Sequence, residues 1–151
     1  MKEDKRKFSN DMEEFSTQEN YPYRKDSWLI AKNLSASFKY AAQGLTYTFL
    51  SQRNFRIHVF IGIFVSFISL WLNLPFTHLA ILALTIGVVL ILELLNTSIE
   101  AVVDLTIGRR FSTLARTAKD SAAAAVLIAS LCSVVIGTLL VLPPLLTRLG
   151  I

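Results

Sequence analysis

Glu93, Asn96, Glu100 and Asp104 stand three, four and four residues apart in a stretch that is otherwise Leu, Ile, Val, Ala, Thr and Ser. At 100° per residue a helix gathers all four into an arc of roughly 80°. Leu94, Leu95, Ile99, Val102 and Val103 take the other side. Three carboxylates and an amide projecting from one face are oxygen donors of the kind magnesium prefers, often in company with substrate phosphates. A short way along the chain come Arg109, Arg110, Arg116, Lys119 and Asp120. An acidic stripe, a divalent cation and nearby Lys and Arg make up the usual equipment of phosphoryl transfer, where catalysis is positioning and charge neutralisation. No G-x-x-x-x-G-K-S/T phosphate loop and no kinase glycine loop occurs in the chain, so such a site is of neither class.

The elements that must position this stripe are hydrophobic. Of 151 residues 53% are hydrophobic and 17% charged, well under the roughly 25% charge of soluble globular domains. No Lys, Arg, Asp or Glu lies between Ile57 and Leu92. One helix over that run would be about 54 Å long, too much for a hydrocarbon core of about 30 Å. Asn73-Leu74-Pro75 supplies the break. The run therefore reads as a hairpin, with a first span over 57–74 and a second over 77–104. A third uncharged run, 121–142, reaches the double proline Pro143-Pro144, which is expected to end it. Between Trp28 and Leu50, apolar residues at 30, 34, 38, 41, 45 and 49 share an arc of roughly 100°, with Lys32 and Lys39 opposite. That segment, 28–50, is expected to be an amphipathic helix on an anionic membrane surface. Packing against the protein's own helices fits the same pattern. Residues 1–26 carry six basic and seven acidic residues and few large apolar ones, and are expected to be a disordered cytoplasmic tail. Residues 27–151 make the membrane domain. The fold class is thus all-α: three transmembrane helices after a surface helix.

Charge placement sets the expected topology. Ten Lys and Arg precede the first span, none lies in the hairpin turn, four lie between the second and third spans, and Arg148 follows the third. Positive-inside bias puts the N-terminus and loop 105–118 in the cytoplasm and the C-terminus outside, in a multi-pass protein of the plasma (inner) membrane. The net charge of +4 is divided between loops and the surface helix and forms no nucleic-acid stripe. Three charges facing lipid would carry a heavy penalty, about 2.5–3.5 kcal/mol each at mid-span. The stripe must therefore face protein, cations or water. An internal ion-pair network is the plain alternative, although the spans themselves contain no Lys or Arg to complete it. An ion-translocating subunit would need an acid near the bilayer centre, and an adaptor would use the stripe only to bind a partner helix. His58 and His78 fall at opposite membrane faces and read as interfacial anchors, Cys132 as a small apolar filler, and the alanines of 121–125 as close helix packing.

Four segments together resemble the prokaryotic diacylglycerol kinases, a family that includes undecaprenol kinases: Ser37 to Gly44, Arg53 to His58, Glu93 to Leu105 and Ala118-Lys119-Asp120. The resemblance spans about Ser37 to Val126. It implies a homotrimer of three-span subunits, active sites at the cytoplasmic interface, ATP with Mg2+ as phosphoryl donor, and diacylglycerol or undecaprenol as acceptor. It implies that Glu93 is the general base, that Asn96 positions it and that Glu100 binds the nucleotide's magnesium. Asp104, Lys119 and Asp120 resemble nucleotide-site residues, with Lys119 near the phosphates, and Tyr40 matches a position of nucleotide contact. Arg109 or Arg110 is a weaker match for a phosphate contact. Gln52 departs from the pattern, since many relatives carry a second metal-binding glutamate there; its amide oxygen can still coordinate Mg2+ with one charge less. Ala124 stands where relatives often have glycine. Diacylglycerol is the expected acceptor, on the family's name.

Overall fold

The computed structural model describes residues 34–108 and 110–151, and the described residues form four helices joined by short turns, with no strand among them. These are α1 (Leu34–Ser51), α2 (Arg53–Trp71), α3 (Phe76–Ile107) and α4 (Thr113–Leu149). The expected tail 1–26, the start of the surface helix at 28–33, and Arg109 lie outside the described residues. The packing reported below is that of Ala41–Ile151, which cluster as one unit.

α1 and α2 are separated by one residue. Gln52 is extended (φ −100°, ψ 115°), and its side chain makes no capping hydrogen bond to α2. Arg56, one turn into α2, donates through Nη1 to the carbonyls of Phe49 at 3.0 Å and Leu50 at 2.9 Å. A guanidinium at a helix C-terminus satisfies orphan carbonyls and complements the dipole there. Phe49 and Phe60 add an edge-to-face contact, their centroids 6.4 Å apart. The end of α1 is therefore pinned to the start of α2, which begins earlier than the span expected from Ile57.

The hairpin turn falls where the proline predicts it. Asn73 adopts φ 53°, a left-handed conformation that asparagine tolerates better than most residues, and Leu74 N–H reaches back to Ser69 O at 3.1 Å. Pro75 then serves as N-cap of α3. Leu72, Leu74 and Leu82 are buried around this turn, packed against Val65, Ile68, Leu79 and, from α4, Leu140, Val141 and Leu145. Along the hairpin Gly62 lets α2 and α3 approach closely: a Cβ there would sit 2.9 Å from Ile86 Cγ2.

α4 departs from the expected 121–142 at both ends. It starts at Thr113, because Ser112 caps it by accepting from Ala115 N–H at 3.4 Å. It also runs through Pro143-Pro144 to Leu149, correcting the expected stop. The two prolines remove only the donors to the carbonyls of Leu139 and Leu140. Leu140, Val141 and Leu145, on both sides of the prolines, all pack on the core at the hairpin turn. Thr147 Oγ1 donates to Pro143 O at 3.0 Å, a back-bond one turn along the continuing helix.

α2, α3 and α4 are each long and apolar enough to cross a membrane. Their outward faces suit hydrocarbon rather than water: Phe60, Phe64 and Phe67 on α2 and Leu127, Ile128 and Leu131 on α4 are all exposed. With 32 residues α3 is about 48 Å long, against a hydrocarbon core of about 30 Å. A single crossing therefore does not need the whole of α3, and Glu93, Glu100 and Asp104 all lie in its C-terminal half.

Candidate active site

The stripe lies on the C-terminal half of α3, as its periodicity predicts, and the four residues have four different surroundings. Glu93 is buried, only 4% exposed. Its carboxylate Oε1 lies 3.4 Å from Nε2 of His58 on α2. Thr97, also buried, donates from Oγ1 to the backbone carbonyl of Glu93 at 2.9 Å and so leaves the carboxylate alone. One turn further, Asn96 Nδ2 donates to Glu100 Oε1 at 3.2 Å. The other atom of that amide, Asn96 Oδ1, is buried without a hydrogen-bond partner. A buried carbonyl oxygen without a partner is uncommon and costly, and it sets Asn96 apart within the stripe.

Asp104 is exposed at the end of the stripe, and Lys119 reaches it from α4 with Nζ 2.6 Å from Oδ1. The α3–α4 turn makes this meeting possible. Gly108 (φ 55°) ends α3, Ser112 opens α4, and Lys119 falls in the second turn of the returning helix. The acidic stripe and the basic segment, separate in the sequence, thus form one surface. Asp120 does not join it by direct contact: it pairs with Arg116 on its own helix at 3.4 Å, both side chains largely exposed. Gln52, half-buried, sits at the α1–α2 joint, and Tyr40 is exposed on α1.

The oxygen donors fit a hard cation in kind. Glu100 offers a carboxylate, and Asn96 Oδ1 is the unpartnered oxygen one turn before it. Among the described residues, no three His, Cys, Asp or Glu converge as a ready-made metal cage. Magnesium commonly binds through one or two protein carboxylates and completes its shell with water and phosphate oxygens.

Sequence reasoning missed two members of this neighbourhood. His58 was read as an interfacial anchor, and the structure sets it against Glu93 instead. Thr97 carried no signal beyond its place one turn after Glu93. A polar residue in an otherwise uncharged span was the available clue to His58, and only the hairpin register turns that clue into a contact.

Residues 39–141 match the family model for prokaryotic diacylglycerol kinase. A diacylglycerol kinase of Synechocystis sp. is 52% identical over 126 residues, covering 83% of this chain and 72% of the relative. An undecaprenol kinase of Bacillus subtilis is 39% identical over 109 residues, covering 72% of this chain and 88% of its own. A diacylglycerol kinase of Escherichia coli is 34% identical over 96 residues, covering 64% and 78%. The matched region takes in the joint at Gln52, the whole stripe from Glu93 to Asp104, and Lys119-Asp120. With three long apolar helices and a match over most of its length, the chain belongs to the prokaryotic diacylglycerol kinase family.

Proposed function

We propose that this membrane lipid kinase transfers the γ-phosphate of ATP to the hydroxyl of diacylglycerol, with Glu93 as general base. The lipid oxygen forms a bond to the γ-phosphorus as the bond from phosphorus to the β-bridging oxygen breaks. ADP leaves, and the hydroxyl proton passes to the Glu93 carboxylate. The single observation carrying this reading is the placement of Glu93: buried at the head of a stripe whose far end meets Lys119. A carboxylate base at the edge of the apolar layer suits a substrate whose hydroxyl lies there and whose chains lie in the membrane.

The remaining residues divide the work along α3. Asn96 keeps Glu100 in place through its amide and presents Oδ1 to the reacting groups. Glu100, with Gln52 contributing an amide oxygen, would hold Mg2+. The ion supplies neutralisation of the charge on the transferring phosphoryl group. Lys119, oriented by Asp104, contributes a positive charge to the nucleotide phosphates, and Asp120 lies beside it in the sequence as a further nucleotide-site residue. Arg116 competes for Asp120 from the preceding turn of the same helix, so Asp120 acts once that exposed pair opens.

The assembly we infer is a homotrimer in the plasma membrane. The N-terminus and the α3–α4 loop are on the cytoplasmic side, where ATP is, and the C-terminus is outside. Positive-inside charge supports this orientation, with four Lys and Arg in or next to that loop and none in the hairpin turn.

A second acceptor has its own support. The Bacillus subtilis relative, which the chain covers over 88% of its length, is named an undecaprenol kinase. The Synechocystis relative, named a diacylglycerol kinase, is the more similar of the two at 52% identity, and favours diacylglycerol. A side-by-side assay decides: purified protein in mixed micelles with Mg-ATP and either lipid at equal mole fraction. Faster transfer to diacylglycerol is expected. Preference for undecaprenol would replace the acceptor and keep the chemistry, whereas transfer to neither would overturn the reading.

A further inference from the structure

We propose that His58 is a positioning residue for Glu93, its imidazole Nε2–H holding one carboxylate oxygen so that the other faces the lipid hydroxyl. The inference rests on the reading of Glu93 as general base. Three observations carry it. His58 Nε2 is 3.4 Å from Glu93 Oε1, and this is the one basic group within ion-pair distance of that carboxylate among the described residues. Two polar side chains that follow Glu93 on α3 are committed elsewhere: Thr97 Oγ1 to the Glu93 backbone carbonyl, and the Asn96 amide nitrogen to Glu100. His58 also lines a cavity of about 430 Å³ with Ile61, Val65 and Val89 from α2 and α3 and Ser133 and Val134 from α4, a lining that is mostly apolar.

An unrestrained glutamate samples several rotamers, and a displacement of about 1 Å at the reacting centre can cost about a hundredfold in rate. An imidazole fixed on α2 restricts a carboxylate on α3, and the close α2–α3 approach at Gly62 sets the distance between the two helices. At 3.4 Å the contact is longer than a formed N–H···O bond of about 2.7–3.2 Å. Such contacts are commonly loose before substrate binds and tighten in the reactive complex. The hydroxyl proton still goes to Glu93; His58 neither donates to substrate nor takes its proton.

The test is steady-state kinetics of the full chain in mixed micelles with Mg-ATP and diacylglycerol, on His58→Leu, His58→Asn and His58→Gln. The glutamine amide can reach Glu93 from the same Cα; the asparagine amide is one methylene shorter, and leucine has no donor. We expect kcat to fall tenfold or more in H58L and H58N, with KM for ATP and for lipid within twofold of wild type. H58Q should recover most of kcat. Because Asn and Gln are both small and polar, their contrast isolates reach from fold, and thermal midpoints of all three should agree within a few degrees. In the double variant H58L/E93Q, the histidine change should cost nothing further, since it acts through Glu93. Wild-type kcat in H58L, a Gln variant no better than Asn, or a loss appearing in KM would overturn the proposal. E93Q alone separates the two claims: if it retains turnover, the base assignment fails and the role of His58 fails with it. If E93Q is inactive while H58L is fully active, only the role of His58 is lost.

Discussion

Lys119 on α4 donates to Asp104 on α3 at 2.6 Å, joining the basic end of one helix to the last carboxylate of the stripe on the other. Asp104 is exposed and Lys119 half-exposed, so the pair contributes at most about 1 kcal/mol to stability. It holds an ammonium beside the stripe, where the proposed phosphoryl transfer requires phosphate charge to be met. Lys119→Met should therefore raise KM for ATP tenfold or more while shifting the thermal midpoint little. Asp104→Asn, which frees the lysine without removing it, should raise KM less. Unfolding of K119M at the same temperature as a core variant would show the pair to be structural instead.

Metal dependence gives a second prediction. Glu100→Gln removes the carboxylate that the Asn96 amide steadies, and should raise the magnesium concentration giving half-maximal activity severalfold. Gln52→Glu adds a charge at the α1–α2 joint and should lower it. Titration of activity against magnesium at saturating ATP checks both, and an unmoved midpoint in either variant removes that residue from the metal site.

Much of this was legible in the chain because it is local. The hairpin break at Pro75 follows from the proline ring and a left-handed Asn73, and the stripe follows from helical periodicity. What escaped the sequence depends on register between helices. The apposition of His58 and Glu93 is set by where the hairpin turns, and no local pattern encodes it. The continuation of α4 through Pro143-Pro144 was misread for a related reason: a local penalty of two lost donors is outweighed by the packing of Leu140, Val141 and Leu145 on the α2–α3 turn. At the start of α4, Ser112 supplies an ordinary cap, and the helix extends eight residues ahead of the uncharged run that begins at Ser121.

Helix spacing is testable at Gly62. A side chain there meets Ile86 Cγ2 at 2.9 Å, so α2 and α3 must separate or Ile86 must change rotamer. Gly62→Val should destabilise by about 1–3 kcal/mol, the usual range for overpacking. Adding Ile86→Ala should return part of that loss, as thermal unfolding in detergent would show. Equal midpoints for G62V and wild type would mean that the helices do not approach this closely.

At the other end of the molecule, Arg148 donates to Trp71 O at 2.8 Å, and its guanidinium lies 4.3 Å from the centre of the Trp71 ring. Arg148→Leu should lower stability by about 0.5–1 kcal/mol, as for an exposed cation–π contact, with kcat unchanged. Reduced kcat at unchanged stability would place this clasp in the catalytic cycle.

In the proposed reaction the buried carboxylate of Glu93 removes the proton from the lipid hydroxyl. Transfer of radiolabelled γ-phosphate from Mg-ATP to diacylglycerol, compared between wild type and Glu93→Gln, addresses it most directly. Glutamine keeps the shape and the neighbours of the side chain but cannot accept the proton. The account predicts a fall in kcat of at least a hundredfold, with KM for ATP and the oligomeric state unchanged. Turnover in E93Q within a few-fold of wild type would contradict it.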